Sequence, residues 1–176
     1  MIRADGTRVE IYNEGLTVYL FDEANAAVVR SGLDAAEREG SESATLLALA
    51  RAGTLVMYEL WQDDPVAIEV AVGEPLTAKE KRGVKWMKLV RVPIALPSGR
   101  LRIETGATLY APEENAPGIV EVAPGTYDLA LHRIDREKVG DAKLEADDGP
   151  ETVVTLPGAS TSRRRSTSTS APAIRR

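Results

Sequence analysis

Val92-Pro-Ile-Ala-Leu-Pro-Ser-Gly-Arg-Leu-Arg-Ile-Glu104 is the stretch that decides the fold. Val92, Ile94 and Leu96 fall on one side of an extended chain, and Pro97-Ser98-Gly99 turns it. Leu101 and Ile103 then resume the apolar row, while Arg100, Arg102 and Glu104 face water. Successive side chains on a strand point to opposite faces, so this alternation on both sides of a turn marks half-buried strands. Upstream, Trp86 and Val90 extend the apolar face, with Lys88 its one polar interruption.

The same period runs outward in both directions. Val9 and Ile11 alternate with Arg8 and Glu10, Asn13-Glu-Gly15 makes a turn, and Leu16, Val18 and Leu20 follow. That pattern predicts a hairpin. Asp22 to Gly40 is less regular, with one or two helical turns over 33–39, Ser31 as a cap and Gly40 as a stop. Ala44 to Ala50 fits a helix by period. The strand-like Thr54 to Trp61 follows at once, so a hairpin is the simpler expectation. Val66 to Val72 is apolar at every even position. Pro75 to Gly83 reads as one capped helical turn. Ile119 to Val122 leads through Pro124-Gly125 into Thr126 to Arg133, whose inner row is Tyr127, Leu129 and Leu131, and Val153-Val154 adds a last strand.

Short strands, regular turns and no long helix predict an all-β fold: a two-sheet antiparallel β-sandwich with one or two short helical turns. Its single domain spans residues 1–157, and 158–176 form a disordered Arg/Ser/Thr-rich tail in which Ile174 is the one aliphatic anchor larger than alanine.

Composition narrows the chemistry. The chain has 176 residues, 43 % hydrophobic and 28 % charged, with no cysteine and one histidine. Disulfides, thiolate metal sites and cysteine nucleophiles are therefore excluded. No apolar run approaches the roughly 20 residues that span a bilayer. The start carries no apolar export segment, so a cytoplasmic protein is expected. Phosphate-binding glycine loops, serine elbows and His-Glu-x-x-His are absent from the sequence. His132 shares a row with Asp128 and Ala130 and has no companion motif, so it reads as an outward-facing histidine. The expectation is a non-enzyme without a cofactor.

Charge is unevenly spread. Beyond Glu151 come Arg163, Arg164, Arg165, Arg175 and Arg176 and no acid. Without those five arginines, 17 basic residues face 27 acidic ones, and the body stands at −10. Such a body repels nucleic acid and attracts basic proteins. Among the acidic pairs, Asp22-Glu23 and Asp63-Asp64 flank strands, and Trp61 either caps the core or stands out as an anchor. The candidate contact set is therefore Trp61, Asp63, Asp64, Asp22 and Glu23. The tail arginines Arg163, Arg164 and Arg165 are candidates for docking on a neighbour, and Ser166 after them for phosphorylation.

The order of segments resembles the bacterial competence protein J family, described as nuclease inhibitors. The similarity rests on Leu16-Thr-Val-Tyr-Leu-Phe-Asp22, on the run from Leu46 to Tyr58, on Val92 to Glu104 and on Val120 to Leu131. These are mainly core and turn positions, so no family contact residue is carried over. The resemblance implies a β-sandwich and a non-catalytic protein that binds another protein, as an inhibitor or immunity-like module. Two alternatives stand beside it. One is an assembly component using sheet edges and the arginine tail. The other is a calcium- or carbohydrate-binding domain using loop carboxylates of Asp22, Glu23 and Asp63.

Overall fold

Alternating apolar side chains need a second layer to close on, and the chain supplies one. A computed structural model of the protein describes residues 6–12, 17–39, 43–59, 65–73, 76, 91–110, 114–133 and 152–156. Nine strands appear among them: β1 (Gly6–Tyr12), β2 (Thr17–Asp22), β3 (Leu55–Glu59), β4 (Pro65–Val72), β5 (Arg91–Leu96), β6 (Arg100–Thr105), β7 (Gly118–Glu121), β8 (Gly125–Arg133) and β9 (Thr152–Leu156). They form one sheet in the order β1-β4-β9-β8-β5 and another in the order β3-β2-β6-β7. Every neighbouring pair is antiparallel except β4 with β9, which run parallel. The architecture is the expected all-β sandwich.

Between the sheets lie the predicted apolar rows. Leu20, Ile94, Leu96, Leu101, Ile103 and Leu129 are all at 0 % exposure in one continuous core. Tyr127 joins them and turns its hydroxyl to donate to the carbonyl of Ala123, so its polar end is satisfied at the margin.

Strand pairing departs from the pattern near the start of the chain. Val9/Ile11 and Val18/Leu20 are on strands, but β1 pairs with β4 while β2 pairs with β3 and β6. The chain therefore changes sheet between them, and the expected hairpin does not form. Alternation fixes which face of a strand is buried and leaves its partner open. The turn at Pro97-Ser98-Gly99 likewise carries the chain from β5 in one sheet to β6 in the other. Gly99 has φ +72° there, donates to Leu96 O at 3.1 Å and accepts from Val122 N at 2.8 Å. A Cβ at this position would sit 2.5 Å from the Val122 carbonyl, so glycine is required.

The helical content exceeds the expectation. A 3-10 turn (Glu23–Asn25) runs into α1 (Ala26–Glu39), and α2 (Ala44–Arg51) follows. A third, short helix, α3 (Gly106–Tyr110), follows β6. Ser31, expected to cap, is instead exposed inside α1, because the helical stretch starts at the Asp22 cap. Ala44 to Arg51 is a helix, not a hairpin strand. Ser43 caps it by accepting from Thr45 N at 3.2 Å, and Gly53, at φ +69°, ends it with its N–H on Ala50 O. Leu46 and Leu49, three apart, then face one side and meet α1 around Gly32, where a Cβ would lie 2.7 Å from Leu49 Cδ1. Both helices cover the outer face of the four-stranded sheet, over Phe21 and Leu55. The helical turn expected over Pro75 to Gly83 and the tail lie outside the described residues.

At one margin Gly118 of β7 packs on Val9 of β1, and an ideal Cβ there would fall 2.1 Å from Val9 Cγ1. Gly118→Ala should cost about 1–3 kcal/mol by overpacking. Combined with Val9→Ala, it should lose less than the sum of the two single changes, measured by urea unfolding.

Candidate protein-binding site

Of the candidate acids, Asp22 is the most thoroughly committed to the fold. It ends β2 at 0 % exposure. One carboxylate oxygen accepts Ala24 N at 2.9 Å, which starts the 3-10 turn, and the other accepts both Ser98 N at 3.0 Å and Ser98 Oγ at 2.9 Å. It thus ties the entry of the helical layer to the turn that changes sheets. As a partner contact Asp22 must be withdrawn: a buried carboxylate with three protein donors has nothing to offer a surface.

Glu23 is next to it and half-buried. Its carboxylate takes two bonds from Arg102 Nη1, at 2.9 and 3.0 Å. Arg102 also donates from Nε and Nη2 to Glu104, and Arg30 Nη2 reaches the same Glu104 oxygen at 3.1 Å. Glu104 is at 0 % exposure and Arg102 at 12 %, so the expectation that Arg102 and Glu104 face water fails. The cause is the helical layer laid on that face. Burial works against the Arg102 charge, but the hydrogen bonds it donates to Glu23 and Glu104, with the attraction of both carboxylates, outweigh it and raise its pKa above the ordinary value. A raised basic pKa stabilises the folded chain at every pH below the unfolded value, so Arg102 remains a cation throughout the working range. Two acids and two bases neutralise each other here. The sequence signal was Arg102-x-Glu104 in one outward row, visible only once helix α1 and the Asp22 cap are in place.

His132 also departs from the expected exposure. It lies on the outer face of the five-stranded sheet, yet at 5 %, with Nε2 3.0 Å from Thr155 Oγ1. Glu69 and Ala71 on β4 and Ala130 on β8 are buried on that same face. Among the described residues no group of three or more carboxylate or imidazole side chains could hold a metal ion.

Trp61, Asp63 and Asp64, and the tail arginines Arg163, Arg164 and Arg165, lie outside the described residues. The strands that flank 60–64 are described, and they separate the candidate set in two. Glu59, the last residue of β3, pairs with Thr17, whereas Asp22 is at the other end of the same strand, ~17 Å away for six extended residues. Pro65, the first residue of β4, pairs with Tyr12. The described strand ends Glu59 and Pro65 therefore lie beside Thr17 and Tyr12, at the end of the sandwich opposite Asp22 and Glu23.

An aromatic on a strand ordinarily packs in the core or across strands, and Tyr12 of β1 does not. It is 45 % exposed, one of the few large apolar side chains that are. Its backbone is fixed, because Thr105 Oγ1 donates to its carbonyl at 2.6 Å and Thr105 is itself locked by Thr108, whose hydroxyl accepts Thr105 N at 2.8 Å.

Taken together, the class is a two-layer β-sandwich with a helical pair on one outer face, an ion network of Glu23, Arg30, Arg102 and Glu104 beneath that pair, and an exposed Tyr12 at one end. No family model matches the sequence, and no curated protein matches it. Two solved structures share the fold. One, described as crocagin biosynthetic gene J, is 21 % identical and superposes with a TM-score of 0.55 over 86 % of this chain and 94 % of its own. The other is ComJ from Bacillus subtilis, an inhibitor of the DNA-degrading activity of NucA; it is 11 % identical, with a TM-score of 0.52 over 87 % of this chain and 95 % of its own. The chain thus has a ComJ-like fold, one that a nuclease inhibitor uses. No helix among the described residues is long and apolar enough to cross a membrane.

Arg102→Met should destabilise the protein by about 3–5 kcal/mol, because it leaves the Glu104 carboxylate buried without its main partner. Arg102→Met combined with Glu104→Leu should recover most of that loss, since removing both charges removes the desolvation problem. Thermal and urea unfolding of the two variants check this directly.

Proposed function

We propose that this chain is a non-catalytic protein-binding module that neutralises a basic partner, with a nuclease as the first candidate. The likeness to ComJ over nearly the full length of both chains supports this most strongly. The charge supports it independently: a body at −10 steers toward a protein that is itself built to hold nucleic acid phosphates.

The contact surface we favour is the end of the sandwich bearing Tyr12 and Glu59, together with Trp61, Asp63 and Asp64 of the sequence that joins β3 to β4. An aromatic anchor among acidic side chains suits a basic protein face. The aromatic supplies desolvated contact area, and the carboxylates speed encounter. Glu23 contributes little, because Arg102 already holds its carboxylate. Asp22 contributes nothing.

The test is recovery of a complex from the source cell, followed by an assay of whether the recovered protein degrades DNA and whether the purified chain stops it. Asp63→Lys with Asp64→Lys should slow association by about tenfold at low salt, with the difference shrinking as salt rises. Tyr12→Ala should chiefly speed dissociation. An affinity indifferent to all three changes would reject this end as the contact surface.

A further inference from the structure

Tyr12 stands where a strand is held least. It is the last residue of β1, and β1 is the terminal strand of its sheet. The residue paired with it is Pro65, which has no N–H to give. Ends of this kind ordinarily fray. Here the Tyr12 carbonyl is taken by the Thr105 hydroxyl, 2.6 Å away, which belongs to the other sheet. Thr105 ends β6 and pairs with Val18 of β2.

That hydroxyl is itself directed. Thr108 of α3 accepts the Thr105 N–H at 2.8 Å, and its own hydroxyl donates to the Thr105 carbonyl at 3.0 Å. The Thr108 N–H points back at Thr105 Oγ1, at 3.5 Å. The Thr105 oxygen thus receives one bond and gives its single proton to Tyr12. Thr105 and Thr108 are 0 % and 1 % exposed, so two buried side chains are committed to a residue that is 45 % exposed. The Tyr12 ring belongs to neither apolar cluster, so core packing does not account for that commitment.

We propose that the Thr105 hydroxyl is a positioning group for recognition: it fixes the backbone that carries the Tyr12 ring, so that a basic partner meets the ring already in place. This rests on the contact surface proposed above and adds to it the residue that prepares it. Ordering a side chain at an interface costs affinity, and a group ordered beforehand avoids that loss. Thr105 is buried, so it acts through Tyr12 alone.

The lock is read first in the free full chain, by carbon-13 relaxation of the Tyr12 Cα and carbonyl. The order parameter should stand near the rigid-backbone value of about 0.85 and fall toward about 0.6 in Thr105→Val, which keeps the branched shape and removes the hydroxyl. Val18, paired with Thr105, should keep its value. Thr105→Ala should give the same reading as valine, and Thr105→Ser, which keeps the hydroxyl, should restore Tyr12. Against the basic protein recovered from the source cell, Thr105→Val should weaken binding by about three- to tenfold, and by nothing further in a Tyr12→Ala chain. A lowered melting temperature with Tyr12 as ordered in Thr105→Val as in the parent chain would overturn the proposal. So would an equal loss of affinity with and without the Tyr12 ring. Undiminished affinity in Tyr12→Ala would reject the contact surface itself and this role with it. The relaxation measurement, made without a partner, tells that failure apart from failure of the lock.

Discussion

Strand β2 is the constraint from which the rest of the structure follows, because it is buried on both faces. Val18 and Leu20 point into the space between the sheets, while Tyr19 and Phe21 point the other way, beneath the helices. A strand covered on both sides needs three layers, so the sandwich alone cannot complete the fold. Its end completes the requirement: the Asp22 carboxylate starts the helical layer through Ala24 and holds the sheet-changing turn through Ser98. One six-residue strand therefore sets the positions of both sheets and both larger helices. Burying Leu20 and Phe21 fully is worth roughly 1.5–3 kcal/mol each, more than any surface ion pair in the molecule contributes.

The same layering explains what the sequence disclosed and what it concealed. Alternation in Val92 to Leu96, Leu101 to Ile103 and Tyr127 to Leu131 gave the strands and their inner faces, because a period of two has one physical source. Pairing was not in that signal. Val9/Ile11 and Val18/Leu20 looked like two arms of a hairpin and proved to belong to different sheets. The helices were concealed for a related reason. Ala44 to Ala50 is apolar nearly throughout, and only the Ser43 cap and the Gly53 stop, read together, distinguish a helix from a buried strand. Once those helices lie over Phe21 and Leu55, the polar row Arg102 and Glu104 ceases to be a wet face and becomes a buried ion network. Tyr12 is the opposite case, an aromatic on a strand that is exposed because it ends that strand.

These reversals sort the charges into two groups. Asp22, Glu23, Arg30, Arg102 and Glu104 serve the join between helices and sheet: the two glutamates pair with the two arginines, and Asp22 is taken up by Ala24 N–H and Ser98, which leaves little for a partner. The unbalanced acidity lies elsewhere, on exposed positions such as Glu59 and in connecting segments such as 60–64. The proposed binding of a basic partner rests on the acids outside this cluster, on a fold shared with ComJ. The likeness in fold to an inhibitor and the electrostatics of the body support that reading from independent directions.

Native-state hydrogen exchange gives the most direct test of the role assigned to β2. The amides of Val18, Tyr19, Leu20 and Phe21 should exchange only through global unfolding, with protection equal to the most protected amides of β8 and with the full denaturant dependence of the whole molecule. Exchange of these four amides through a smaller, local opening while β8 stays protected would contradict it, because the helical layer and its strand would then be a detachable addition to a sandwich that stands without them.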